Sequence, residues 1–322
     1  MKDTCLVRAM GAAVGVSLLM ASCSLTTMAM RSSNPEFIGK QIPGVLEKNE
    51  RKLEKAPDDQ ALILETGSLY VMYANAFVQG PADMLPSYEF DRKEAEKSRA
   101  RTYYLRGVEI LNTGLEKKYP GFAEAYDSGD VENMRAVMAR TVKEDAAYLY
   151  WSTAGSLCAY SLNPMDFELG MKIKAFEVMI DRAYELDPDF NSGAIDDFYV
   201  LFYASLPEGL VGDKSMIDEH FRLAVEKSGG FLAGPYVSYA QSVAKPNQDY
   251  EGFKLNLEKA LVIDPNKDRD NRLVNIINQR KAQYLLDNIE DYFIGYGDDE
   301  WIDEDDEWLD DERLDDEELE FE

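Results

Sequence analysis

Few residues in this chain are equipped for chemistry. There is one histidine, His220, and three cysteines, Cys5, Cys23 and Cys158. A histidine base needs a nucleophile beside it and a third group to orient it, and no GxSxG elbow or phosphate-cradling P-loop accompanies this one. His220 opens an amphipathic helix, where it reads as a packing or surface residue. No His/Cys cluster has zinc spacing. "DPDFNSGAID" sets Asp187, Asp189 and Asn191 at alternate positions, as a calcium loop would. Its glycine, Gly193, comes one place late, and the position that should carry a bidentate glutamate is Phe198. "DPNKDRDN" has no glycine. Both read as helix-capping turns. No metal, cofactor or catalytic residue is expected.

The aromatic residues carry more information. Tyr73 and Phe77 share one helical face, Tyr150 and Trp151 sit together on another helix, and Phe198, Tyr199, Phe202 and Tyr203 form a stripe on a third. Such stripes fill cores in the ordinary case. Tyrosine also offers an apolar wall with a polar tip, which suits a groove for an amphipathic ligand. These eight residues are the ligand-groove candidates.

The positioning elements are helices. Apolar residues recur at helical spacing over 58–78, 91–117 and 142–162, the last apolar on most faces and so buried. Strand-like alternation is scarce. Three helix endings align on Ala183, Ala224 and Ala260. Each has a bulky residue three places earlier (Ile180, Phe221, Leu257) and a breaker five places later (Pro188, Gly229, Pro265). Their separations, 41 and 36 residues, are a padded form of the tetratricopeptide period of about 34. The expected fold is all-α, built from helical hairpins with degenerate tetratricopeptide repeats in a single superhelical domain.

Both ends differ from that domain. Lys2 and Arg8 precede the 13-residue apolar run 9–21, too short to span a bilayer and right for a signal peptide. The run closes in "LLMASC", which resembles a lipobox and makes Cys23 the lipidation candidate; an ordinary signal peptide cut nearby is the other reading. Cys158 is then the one thiol left, so no intramolecular disulfide is expected. The net charge is −27, but 17 Asp/Glu and one Arg fall in 297–322, a net −16 that leaves −11 for the remainder. That balance excludes a nucleic-acid partner, which needs a basic face. "DDEW" recurs at 298–301 and 305–308. The segment reads as a solvated, disordered acidic run, or as an acidic amphipathic motif for a basic partner surface. The organisation read from sequence is 1–22 signal peptide, 23–56 lipidated N-terminus and tether, 57–296 helical domain and 297–322 acidic tail.

Seven stretches, taken together and in order, carry a family resemblance. They are "SLYVMYANAFVQ" (68–79), "ARTYYLRGVEILNTGLEKKYPGF" (100–122), "KEDAAYLYWSTAGSLCAYSLN" (143–163), "DRAYELDPDFNSGAIDDFYVLFYASLP" (181–207), "HFRLAVEKSGGF" (220–231), "PNQDYEGFKLNLEKALVIDP" (246–265) and "INQRKAQYLLDNIEDYF" (277–293). The chain resembles the tetratricopeptide T component (TatT family) that accompanies tripartite ATP-independent periplasmic (TRAP) transporters. The resemblance implies a non-enzymatic periplasmic lipoprotein, anchored to an inner or outer membrane and assembled as a homotrimer. It also implies association with the transporter's solute-binding P component, which supplies a membrane permease, and a hydrophobic groove or channel for an apolar or amphipathic ligand. The alternative is a general scaffold lipoprotein that assembles envelope proteins and has no ligand of its own.

Overall fold

The computed structural model describes residues 29–206 and 214–293. The signal stretch, Cys23 and the acidic segment 297–322 lie outside the described residues. Among the described residues there is no strand, and the fold is a single all-α domain.

The first helix, which the polar stretch "QIPGVLEKNERKLEKAP" (41–57) suggests from sequence, begins earlier than that stretch. Asn34 accepts the Phe37 N–H at 3.0 Å and Pro35 supplies a helical φ at the first position, so helix α1 runs Pro35–Leu53. It buries Ile38, Ile42 and Leu46 in the main core. Much of the 23–56 stretch assigned to a tether is therefore packed structure: one apolar stripe at i, i+4, i+8 is enough to dock an otherwise polar helix.

Asp59 caps α2 (Gln60–Tyr73) by accepting the Leu62 N–H at 3.0 Å. The helix continues through a π-helical segment, Ala74–Gln79, into a last turn at Gly80–Asp83. Over Gln60–Asp83 it is long and apolar enough to cross a membrane, yet half of that window is buried inside the protein. It packs on α3 (Phe90–Lys118) and α6 (Ala146–Ser161), with α4 (Phe122–Ser128) and α5 (Val131–Met138) between them in sequence. Glycines set how closely these helices approach. A Cβ on Gly107 would lie 2.8 Å from the Gly67 carbonyl oxygen, and one on Gly155 would lie 2.8 Å from the γ-methyls of both Val71 and Val108. Tyr104, Leu111, Leu115 and Leu149 are fully enclosed there.

After α7 (Phe167–Met171) come α8 (Ile173–Leu186), α9 (Ala194–Ser205) and α10 (Ile217–Lys227). Then α11 (Gly234–Tyr239) passes into a second π-helical segment, Ala240–Ala244, followed by α12 (Tyr250–Leu261) and α13 (Arg272–Asp287). The aligned Ala183, Ala224 and Ala260 are all fully buried, on α8, α10 and α12. Gly193, at φ +93°, starts α9, and a Cβ there would come within 3.1 Å of the Ala224 Cα. A small residue thus sits at the close approach of α9 and α10, and the other two alanines lie in the interior.

A second, smaller core gathers Val237, Phe253, Leu257, Leu285 and Phe293 from α11 to the end of the described chain. Helix α13 bridges the two cores, with Leu273 in the larger one. It also meets α1: Arg280 pairs with Glu36, and Arg31 pairs with Asp270 at 2.6 Å. The first and last helices thus touch.

Candidate functional site

The largely buried helices α6 and α9 each carry a narrow stripe of partly exposed residues, and partly exposed residues of α11 and α13 lie nearby. On α6 the stripe is Ala147, Tyr150, Trp151, Ala154 and Cys158, while its other residues are mostly buried. On α9 it is Ala194, Asp197, Leu201 and Ala204. Ser238, Gln241 and Lys245 continue it on α11 and its π-helical extension, and Ile277, Asn278 and Lys281 on α13. The i, i+3/i+4, i+7 spacing puts each set on one helical face.

Ionisable groups in these stripes feel strong desolvation despite their remaining exposure. Burial pushes the Cys158 thiol up to about 11 and raises the Tyr150 phenol. It pushes Asp197 up to about 6, with hydrogen bonding from Ser238 opposing and the Asp196 charge adding. Burial lowers the Lys281 ammonium, which the Asp83 charge only partly offsets. These groups keep some contact with water while the protein around them desolvates their charged forms, as residues along a seam between helices would.

The eight aromatic candidates divide. Tyr150 and Trp151 lie on the seam, edge-to-face at 5.1 Å, with Phe190 a further 5.1 Å from the Tyr150 ring. Phe198, Tyr199, Phe202 and Tyr203 are instead packed interior, Phe202 completely so. Their stripe is wide enough to be gripped on both sides. Phe198 and Phe202 stack at 5.6 Å, and Phe198 meets Tyr150 edge-on at 6.3 Å. Tyr199 stacks on Tyr203 at 5.4 Å and on His220 at 4.5 Å. The face of α9 that stays partly open is the one with Ala194, Asp197 and Leu201. Tyr73 and Phe77 stack at 6.0 Å between α1 and α3; Tyr73 meets Tyr103 edge-on at 5.2 Å, and Phe77 covers Gly39.

Two neighbouring aspartates on α9 have opposite fates. Asp196 is fully buried but matched, with the Lys227 ammonium at 2.7 Å and His220 Nδ1 at 2.9 Å. His220 is thus a packing residue with a charge partner. Asp197 keeps a buried Oδ1 without a hydrogen-bond partner. Sequence reasoning passed over Asp197, Lys245 and Lys281. The available signal was the Asp pair inside the apolar run "AIDDFYVLFYA", where solvation cannot be the reason for both charges.

The former calcium candidates are turn residues. The Asp187 carboxylate meets Lys143 at 3.3 Å, and the backbone carbonyls of Asp187 and Asp189 accept the Phe190 and Ser192 N–H groups. Among the described residues no group of three His, Cys, Asp or Glu side chains could hold a metal. Two open clefts lie away from the seam. One, of about 700 Å³, is flanked by Arg31, Phe231, Lys267 and Arg272. The other, of about 590 Å³, runs past Glu109, Tyr126 and Lys172. Neither includes an aromatic candidate.

Comparison with known proteins accords with this architecture. An uncharacterized protein of Treponema pallidum (strain Nichols) is 32% identical over 275 residues, which is 85% of this chain and 85% of that one. A family model described as TRAP transporter T-component matches residues 31–293, from just before α1 to the end of the second core. The chain belongs to the TRAP transporter T-component family.

Proposed function

We propose that this protein is a non-enzymatic periplasmic lipoprotein, tethered through Cys23, whose seam between α6/α9 and α11/α13 receives an apolar or amphipathic ligand and passes it to the solute-binding P component of a TRAP transporter. Family membership supports association with TRAP transport. One observation carries the ligand reading: stripes of partly exposed, strongly desolvated residues run along α6 and α9, which are otherwise largely buried. A solid helical core would have no use for them. Apolar walls with a few polar points are what ligand-binding cavities are made of. In this reading Tyr150 and Trp151 line the path, and the 198–203 aromatics hold its wall in place. Homotrimer assembly belongs to the same proposal.

The test uses the full chain with Cys23→Ala, so that the protein's own acyl chains are removed, purified natively and extracted for bound small molecules. The expected result is a co-purified amphiphile that is depleted in Trp151→Ala, with weaker binding to the P component and unchanged circular dichroism. An empty protein whose receptor affinity is indifferent to Trp151→Ala refutes the ligand reading. The scaffold reading draws on a different observation, the exposed Met165, Phe167 and Met171 around α7. If Phe167→Ser alone abolishes receptor binding while no ligand is found, the scaffold reading replaces the first.

A further inference from the structure

The seam has a charged end. Lys281, half-buried on α13 and desolvated by its surroundings, carries neither a hydrogen bond nor an ion pair among the described residues. The charges it feels are Asp83, Lys245 and Cys158. Lys245 in turn feels Asp83 and Lys93, and its ammonium sits 4.9 Å from the Tyr292 ring centroid. Lys93 donates to the backbone carbonyls of Asp83 and Leu85 at 3.2 and 3.4 Å, closing the C-terminal end of α2. Three ammonium groups therefore gather near one carboxylate, a local excess of two positive charges in a chain that carries −27 overall. The Tyr104 hydroxyl, which donates to Gln79 at 2.7 Å, and the Cys158 thiol connect this end to the α6 stripe.

The backbone is irregular here on both sides. The π-helical segment Ala74–Gln79 leads into Asp83, and the segment Ala240–Ala244 leads directly into Lys245. A π-helical turn inserts a residue and re-aims the side chains beyond it, at a cost in hydrogen-bond geometry, and such turns are concentrated at functional sites. Two of them converge on one cluster of charges. Burial of an amine without a counter-ion is unfavourable, as the lowered Lys281 and Lys245 values express. An anion arriving at this point would relieve that cost.

Resting on the ligand reading above, we propose that Lys281 and Lys245 form a head-group site for the carboxylate of a single-chain amphiphile, whose alkyl part lies along Cys158, Ala154 and Trp151. From Cys158 to Trp151 is seven residues of α6, or about 10 Å at a rise of about 1.5 Å each. That length suits a medium alkyl chain. The carboxylate gains two charge-assisted contacts, and the alkyl chain meets no other charge along the α6 stripe.

Calorimetric titration of the full chain with Cys23→Ala tests this, using decanoate and 1-decanol below their aggregation limits. The expected result is binding of both, decanoate at least about tenfold tighter. Lys281→Met should remove that tenfold advantage and leave 1-decanol binding unchanged. Lys245→Met should act in the same direction, and circular dichroism and melting temperature check folding. If the two amphiphiles bind equally to the parent, or if Lys281→Met weakens both alike, the head-group site is wrong and the apolar path stands. If neither binds and Trp151→Ala changes nothing, the path itself is refuted and the head-group site with it.

Discussion

Replacing Asp197 by Asn should stabilise the protein at neutral pH. Asp197 is drawn into the seam with one oxygen buried and unpartnered, and burial lifts its pKa from 3.8 to about 6. A carboxyl raised by about two units disfavours the ionised form by about 3 kcal/mol at pH 7.5. The unfolded chain, ionising near 3.8, escapes that penalty. The stabilising side of this linkage is complete below pH 3.8, fades as pH rises through about 6, and leaves a constant cost above it. Asn carries no charge, but its amide still meets an incomplete hydrogen-bonding environment, worth about 1 kcal/mol. The net gain is about 2 kcal/mol, or roughly 3–4 °C in melting temperature at about 2.1 cal/mol/K of unfolding entropy per residue. Scanning calorimetry of both proteins at matched pH from 7.5 down to 4 reads the result. The difference should be largest at pH 7.5 and shrink toward zero by pH 4. A variant less stable at pH 7.5, or a difference independent of pH, refutes the account of Asp197 as a desolvated carboxyl with one oxygen unpartnered.

Asp145 should behave in the opposite sense. Burial works to raise its pKa, but Lys118, the Tyr119 hydroxyl and the Val142 N–H hold it below 3.8, so its contribution is present above that value and lost as pH falls through the native pKa. Asp145→Ala strands those donors and should cost about 3 kcal/mol in urea unfolding at pH 7. Gly107→Ala drives a methyl to 2.8 Å from the Gly67 carbonyl and should cost about 1–3 kcal/mol by the same assay. With its thiol at about 11, Cys158 should react with iodoacetamide at pH 8 on the order of 100-fold more slowly in the native protein than in urea, and more slowly again with decanoate bound.

Helix content and the deepest packing were legible because they depend on periodicity. Ala183, Ala224 and Ala260 are all buried, as small residues one turn before a breaker suggest, and Ala224 lies at the close approach of α9 and α10. The extent of α1 was hidden by its polarity: only Ile38, Ile42 and Leu46 mark its buried side among many charges. The aromatic stripe 198–203 shows the limit of pattern reading. Periodicity says that Phe198, Tyr199, Phe202 and Tyr203 share a broad face, but not whether a helix will cover it, and here α6, α8 and α10 do. Lys281 was invisible because a charged residue in an amphipathic helix looks solvated until its neighbours are known, and the Asp196–Asp197 pair signalled burial without saying which of the two is matched. Tertiary packing alone separates Asp196, matched by Lys227 and His220, from Asp197, which is not.

The meeting of α1 with α13 joins residues 244 positions apart through Arg280 and Glu36, both on the protein surface. Contacts so distant along the chain form after the local hairpins, because the entropy of closing the loop must be met first. Solvent-exposed ion pairs hold such a closure weakly, and more weakly as salt rises. The stripe Ile38, Ile42 and Leu46 carries most of the hold on α1, so its release is a local unfolding that uncovers one edge of the main core and leaves the second core intact. Amide exchange in α1 should be faster than in α3 or α6 and should quicken with ionic strength.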